Sequence, residues 1–365
     1  MRNGWITTGP SVKALEDAFC ETSGIPYAVA LNSCTAALHL GMLAMGVRPG
    51  DEVVMPSLTF VAGAQCAREI GALPVFADVD ERTLTVTVES VAAVTTERTR
   101  CIMPMHYAGR PAPVKEIVAF AKPRGIRVLE DAAHSVGMLR AGKWAGELSD
   151  GAAYSFYPTK NITSGEGGLL LTHDAEVAAR VRRLSLHGMS RDAWKRYTAG
   201  GGWRYDVVEL GYKYNLPDLG AALAVGQFER LEELQGERDR LAALYLDRLA
   251  GIPGISAITE FLHKPDRHSW CMFVIRVDPE HAGITRDALI DELRAANIGT
   301  SVHYIPTHHF TAYKDLPANV PVTDKIWQRI LSLPLYPGMR TSDIDDVIDV
   351  LVRATSSQTI AANVA

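Results

Sequence analysis

The sequence predicts an α/β protein built on a mostly parallel sheet and followed by a smaller α+β unit. Short β-branched runs alternate with longer amphipathic stretches through the first two thirds of the chain. A long helical stretch rich in Leu, Ala, Glu and Arg then covers Leu216 to Leu249, and Gly251-Ile-Pro-Gly254 breaks it before a new strand-and-helix pattern begins. At about 150 residues per domain, 365 residues suit two units, divided here into 1–250 and 251–365.

Taken in order, Tyr27-Ala-Val-Ala-Leu31 reads as a strand that ends at Asn32-Ser33 and opens into the helical Thr35-Ala-Ala-Leu-His-Leu-Gly-Met-Leu43. Asp51-Glu-Val-Val-Met55 stops at Pro56, Leu73-Pro-Val-Phe-Ala77 at Asp78, Arg100-Cys-Ile-Met-Pro-Met105 at His106, and Ile126-Arg-Val-Leu-Glu130 at Asp131. Such repeated βα crossovers favour parallel strands sandwiched between helices, with the ligand site beyond the carboxyl ends of the strands. Chemistry is therefore sought among the polar and small residues at those ends. After the break, Trp270 to Val277 reads as a strand, Thr285 to Ala296 as a helix, Thr300 to Tyr304 as a short strand and Ser342 to Arg353 as a final helix. Ala354 to Ala365 is small and polar and is expected to fray.

Composition narrows the function classes. With 47% hydrophobic and 22% charged residues the chain reads as globular and soluble, and 37 basic against 42 acidic side chains give a formal charge of −5. No global field favours nucleic acid or an anionic membrane as partner. The five cysteines are odd in number and form no Cys-x-x-Cys pair, which argues against a disulfide framework or a cysteine-rich zinc site and fits a reducing, cytoplasmic setting. The opening residues lack the apolar stretch of a signal peptide. The most apolar long segment, Tyr27 to Val47, is interrupted by Asn32, Ser33, Thr35 and His39, so no membrane span is expected.

The most informative segment is Tyr154-Ser-Phe-Tyr-Pro-Thr-Lys160-Asn-Ile-Thr-Ser-Gly-Glu-Gly-Gly168. Lys160 follows a strand and sits in a turn of Pro, Thr, Ser and Gly, where a backbone is held near a ligand. It is a candidate Schiff-base lysine, although a lone lysine reads as a solvated charge. Asp131 supplies the combination. It closes an apolar strand in Val128-Leu-Glu-Asp131-Ala-Ala-His134, where a carboxylate is partly desolvated and needs a cationic partner. A pyridinium nitrogen would be such a partner: pyridoxal phosphate needs a lysine for its aldehyde and an acid to keep its ring nitrogen protonated. Taken alone, an acid there also reads as a helix cap. Asn32-Ser33-Cys34-Thr35 joins a strand to a helix and reads equally as a phosphate cradle or an ordinary N-cap. Phe60, just after the second strand, reads as a surface for a planar ring or as core.

Asn32-Ser-Cys-Thr-Ala-Ala-Leu-His39, Gly50-Asp-Glu-Val-Val-Met-Pro-Ser-Leu-Thr-Phe60, Glu130-Asp-Ala-Ala-His134, Ser155-Phe-Tyr-Pro-Thr-Lys160-Asn and Gly211-Tyr-Lys-Tyr-Asn215 occur in an order and spacing that resembles the DegT/DnrJ/StrS family of sugar aminotransferases. The resemblance runs from Gly9-Pro10 to Leu333-Pro-Leu-Tyr336. It implies fold type I of the pyridoxal-phosphate-dependent transferases: a large domain around a mixed, mostly parallel seven-stranded sheet, plus a smaller C-terminal α+β domain. It also implies that Lys160 forms the Schiff base and relays protons, that Asp131 meets the pyridine nitrogen, that Phe60 stacks on the ring, and that His134 lies near the ring hydroxyl. Cys34, Thr35 and Ser155 match phosphate contacts, with the backbone N–H at 34 sufficient where most relatives carry Gly. Asn215 matches a residue that reaches the cofactor phosphate of a neighbouring subunit, which implies a homodimer with shared active sites.

The same resemblance implies a reaction. Glutamate, or else glutamine, donates its amino group to pyridoxal phosphate, and the pyridoxamine phosphate so formed aminates a keto group on a nucleotide-linked deoxysugar. The loop Ser190-Arg-Asp-Ala-Trp-Lys-Arg-Tyr197 with Leu210 to Pro217 is most similar to relatives that aminate carbon 4 of a 4-keto sugar; 3-keto sugars and cyclitol ketones are the alternatives. His187, Arg191, Tyr304 and His308 are the candidate substrate contacts. Arg191 lies in a basic and aromatic loop that reads either as a nucleotide grip or as solvated. Glu166 reads as a second acid or a turn residue. His303, His308 and His309 lack the helical spacing of a zinc site, so no metal is expected. Relatives that dehydrate sugars carry histidine in place of the lysine, so Lys160 counts against that reaction. A non-catalytic binding protein on the same scaffold is the rival from another class.

Overall fold

The computed structural model describes residues 5–190, 205–258, 262 and 264–362. Helix α1 (Pro10–Ser23) precedes β1 (Tyr27–Leu31). There follow α2 (Cys34–Ala44), β2 (Glu52–Pro56), α3 (Ala62–Ile70), β3 (Leu73–Ala77), α4 (Val88–Val94), β4 (Thr99–Ile102), α5 (Val114–Ala121), β5 (Arg127–Ala132), β6 (Gly151–Ser155), β7 (Gly168–Thr172) and α6 (Ala175–Leu184). The seven strands form one sheet in the order β1-β7-β6-β5-β4-β2-β3. Only β7 runs against its neighbours; the β6–β5, β5–β4, β4–β2 and β2–β3 pairs are parallel. This is the mixed, mostly parallel sheet expected.

Strand alternation divides the core between the two faces. Val29, Leu31, Val53, Met55, Leu129 and Ala153 pack against the apolar sides of α2, α3 and α6. The intervening Ala28, Ala30, Ala152 and Tyr154 meet α1, and Val54, Ile102 and Val128 meet α4 and α5. With both faces covered, the strands are buried almost throughout. Asp131 has the same parity as Leu129, so its side chain is directed to the face that carries α2.

Beyond the sheet lie α7 (Asp218–Phe228), α8 (Leu231–Leu249), β8 (Ile255–Ala257), β9 (Phe273–Val277), the single turn α9 (Pro279–Ala282), α10 (Arg286–Ala295), α11 (Pro321–Ile326), β10 (Ile330–Leu333) and α12 (Thr341–Ala362). The stretch predicted as one helix is two, turned at Glu229-Arg230. Ala221 and Ala224 of α7 belong to the α1 core, whereas Leu241, Ala242, Tyr245 and Leu249 of α8 belong to a C-terminal core with α10, α12 and a three-stranded antiparallel sheet β10-β9-β8. The two halves face different cores, so the axis must change. Thr300 to Tyr304 is not a strand; Ser301 makes one bridge to Ser332. The last helix continues past Arg353 to Ala362, because Ala354 to Ala362 contains no Gly or Pro to stop it. No helix among the described residues is long and apolar enough to cross a membrane.

Candidate active site

Five strand ends converge on one cavity of about 460 Å³. Past β1, Ser33 caps α2 by accepting the Ala36 N–H at 3.0 Å. The Cys34 and Thr35 N–H groups, which a first helical turn leaves without intrahelical partners, border the cavity. The Cys34 thiol turns away to the Ala153 carbonyl at 3.4 Å, and burial pushes it well above its ordinary pKa. Gly168 lies against this turn so closely that a Cβ there would overlap the Ser33 carbonyl carbon and Cys34 N. Phe60 follows β2 and is 56% exposed, so its ring borders the cavity rather than filling the core.

Asp131 stands at the end of β5. Its backbone is fixed on both sides: its N–H donates to the Pro104 carbonyl at 2.9 Å, and its carbonyl accepts from His106 N at 3.2 Å. Its Oδ1 accepts the Ala133 N–H at 3.0 Å. Burial raises its pKa, opposed by that hydrogen bond and by the charge of Lys160. Lys160 comes from the loop after β6, with its N–H bonded to the Tyr157 carbonyl at 2.9 Å. No ion-pair or hydrogen-bond partner meets its amine among the described residues. Ser155, the last residue of β6, borders the same space, with its Oγ accepting from Tyr157 N at 3.3 Å.

The far wall is formed by His134, His303 and Tyr304. The Tyr304 hydroxyl meets His134 Nε2 at 3.0 Å, while His134 Nδ1 is buried without a protein partner. Burial, reinforced by Lys160, holds the His134 imidazole well below its ordinary pKa and pushes His303 down to about 4. The Tyr107 hydroxyl donates to the His303 carbonyl and fastens this loop to the segment that follows β4.

Of the sequence candidates, Cys34, Thr35, Phe60, Asp131, His134, Ser155, Lys160 and Tyr304 surround this cavity. Asn215 does not. It bridges Leu31, donates to Thr8 Oγ1 at 2.8 Å and borders a second cavity beside Lys13, Glu16 and Arg182. His187 is exposed, with its N–H on the Tyr212 carbonyl, and His308 turns to Ser57 and Asp324. Neither borders the Lys160 cavity of its own chain. Arg191 and the rest of the basic loop through Tyr197 lie outside the described residues. Met105, Tyr157, Thr159 and Glu166 also border the cavity. Tyr157 and Thr159 flank Lys160 in sequence, and Met105 lies just past β4, which is the signal that could have found them.

Pyridoxal phosphate fits these residues on three counts. An acid inside a cavity shares it with an unpaired amine, a buried imidazole nitrogen lacks a protein partner, and free N–H groups at a helix start offer an anion site against a backbone only glycine allows. With the sheet order, that fit defines the class: a pyridoxal-phosphate-dependent enzyme of fold type I. The chain belongs to the DegT/DnrJ/EryC1/StrS aminotransferase family, whose model matches residues 1–352. It is 44% identical over 356 residues to the spore coat polysaccharide biosynthesis protein SpsC of Bacillus subtilis, covering 96% of this chain and 91% of that one. Among solved structures it is similar to the putative sugar aminotransferase Spr1654 of Streptococcus pneumoniae in its PMP form (TM-score 0.90, 29% identity, 98% of this chain and 94% of that one). It is similar also to DesI solved in the presence of its TDP-sugar product (TM-score 0.87, 30% identity, 99% and 89%). The protein is thus a pyridoxal-phosphate-dependent aminotransferase.

Proposed function

We propose that this aminotransferase moves the amino group of glutamate to the carbon-4 keto group of a nucleotide-linked deoxysugar. The observation that carries the reading is the meeting of Lys160 and Asp131, from two adjacent strand ends, in a cavity closed by Phe60, His134 and Tyr304. Likeness to DesI, with its TDP-sugar product, and to SpsC, named for polysaccharide biosynthesis, supports the substrate class. The loop around Ser190 to Tyr197, similar to that of carbon-4-aminating relatives, supports the position.

The bound cofactor supplies an electron-poor ring that stabilises negative charge at the carbon carrying the transferred nitrogen. The protein's part is to hold, orient and move protons. The Cys34 and Thr35 N–H groups and the Ser155 hydroxyl would bind the phosphate, helped by the positive end of α2. Asp131, ionised beside a ring cation, would keep the ring nitrogen protonated; alone and buried it would tend to take up a proton itself. Phe60 would lie over the ring, and His134, oriented by Tyr304, would meet its hydroxyl. Lys160 Nζ would hold the aldehyde at rest, then take the proton from the reacting carbon of the donor and deliver one to that of the sugar.

Asn215 belongs to this proposal through a second copy of the chain. It stands outside its own Lys160 cavity, just before α7, whose surface exposes Leu219 and Leu223. A homodimer burying that surface would bring Asn215 to the neighbouring cofactor phosphate. Asn215→Ala is then expected to weaken cofactor retention while the Lys160 cavity of its own chain stays intact; unaltered retention would remove the cross-subunit role.

The test of the reaction is a product analysis. The purified yellow enzyme should bleach with glutamate, and recover its colour with a 4-keto sugar nucleotide but not with 3-keto isomers or cyclitol ketones. Recovery only with a 3-keto substrate would overturn the carbon-4 assignment, and glutamine outperforming glutamate would overturn the donor. Absence of any bleaching with glutamate would likewise overturn the donor.

A further inference from the structure

A second cluster of ligand-type side chains lies outside the Lys160 cavity and takes no part in the reaction proposed above. The turn Thr307–His309 presents His308 and His309 side by side, and α11 presents Asp324 to both. His308 Nε2 lies 3.1 Å and His309 Nε2 2.9 Å from the same carboxylate oxygen, Asp324 Oδ1. All three ligand atoms fall within 4.8 Å of one another. Two donors bound tetrahedrally at 2.0–2.2 Å from a zinc-sized ion sit about 3.3–3.6 Å apart, so each histidine–carboxylate distance is within a few tenths of an ångström of what such an ion would set.

The surroundings hold this arrangement in place. His308 Nδ1 meets the Oγ of the fully buried Ser57 at 2.7 Å, which fixes the ring and directs Nε2 to Asp324. The His309 ring packs edge-on against Trp327, centroids 5.3 Å apart. Asp78 anchors the start of α11, accepting the Val322 and Thr323 N–H groups at 2.8 and 2.9 Å. No metal signal is legible in the local sequence, because the two histidines are adjacent and the carboxylate comes from another element. Tertiary structure brings them together.

We propose that His308, His309 and Asp324 bind a divalent transition ion of the zinc type, with water completing its coordination. The ion would fasten the loop that carries Tyr304 to α11.

Metal-free holoenzyme without a histidine tag, titrated with zinc chloride by calorimetry, tests this. The expected result is one saturable site that His309→Ala and Asp324→Asn each weaken at least tenfold, while His281→Ala, which removes an exposed histidine paired with Asp278, leaves it unchanged. Both test positions are partly exposed, so the variants are expected to fold. No saturable zinc binding by the unaltered protein would overturn the proposal, as would affinity in the two variants unchanged from that of the parent. Neither outcome bears on the aminotransferase reaction, which is read from the glutamate-driven bleaching.

Discussion

Tyr304 and His134 lie with their rings 12° from parallel, and the Tyr304 hydroxyl reaches His134 Nε2 at 3.0 Å. The contact spans 170 residues of sequence and joins the loop before α11 to the end of β5. Burial keeps the tyrosine protonated and the histidine neutral, so the link is a neutral hydrogen bond inside the cavity wall. A neutral hydrogen bond contributes about 1 kcal/mol net. Tyr304→Phe should therefore raise the dissociation constant for pyridoxal phosphate roughly five- to tenfold. The loss should be smaller when His134 is already replaced by Ala, because the two changes remove one interaction. Strict additivity in spectroscopic titrations would contradict a shared role.

Lys160→Ala should lose the yellow form and slow the reaction by about 10²–10⁴-fold or more, the range for removing a positioned proton carrier. Turnover at the original rate would remove Lys160 from the mechanism.

Asp131→Asn keeps the shape and the acceptor for the Ala133 N–H but discards the charge. Holoenzyme is expected to form, with turnover at least about a hundredfold lower, because the cofactor's ring nitrogen loses its anionic partner. An unchanged rate would show that this carboxylate does not meet the ring.

Gly168→Ala places a methyl group against the Ser33–Cys34 backbone, which has no side-chain freedom to yield. The expected cost is about 1–3 kcal/mol in stability, with weaker cofactor binding because the phosphate turn is pushed outward. Denaturant unfolding of the apoprotein and cofactor titration measure the two effects separately. Retention of both values would mean that the turn can move.

Burial holds His268 and His303 neutral, at about 3 and about 4 against an ordinary 6.5. On unfolding they bind protons near 6.5, so their contribution to stability is complete above that pH and is lost as pH falls from about 6.5 towards 4 and 3. Asp131 and Glu16, whose pKa values are raised by burial, act with the opposite sign just above the ordinary carboxylate range. His268 Nδ1 accepts the Trp270 N–H at 2.9 Å, a role an asparagine oxygen can fill. His268→Asn should flatten the fall in melting temperature between pH 6.5 and 4.5; parallel curves for variant and parent would refute the assignment.

The local chemistry was legible in the sequence. Strand periodicity placed Asp131 at a strand end, the Pro-Thr-Lys160 turn followed another, and Asn32-Ser33 announced the start of α2. Each of these signals depends on residues within a few positions of one another, where backbone sterics, capping and alternation act. The order β1-β7-β6-β5-β4-β2-β3 was not legible in that way, and it decides which strand ends share a cavity. It brings Ser33, Asp131, Ser155 and Lys160 together and leaves Asn215 and His187 outside. It also stations β7 so near the Ser33 turn that position 168 must be glycine. Likewise, His308 faces Asp324 rather than the Lys160 cavity because Ser57 and α11 pack on that side. Pairings across such distances depend on how buried faces satisfy one another throughout the molecule, which no local pattern of residues encodes.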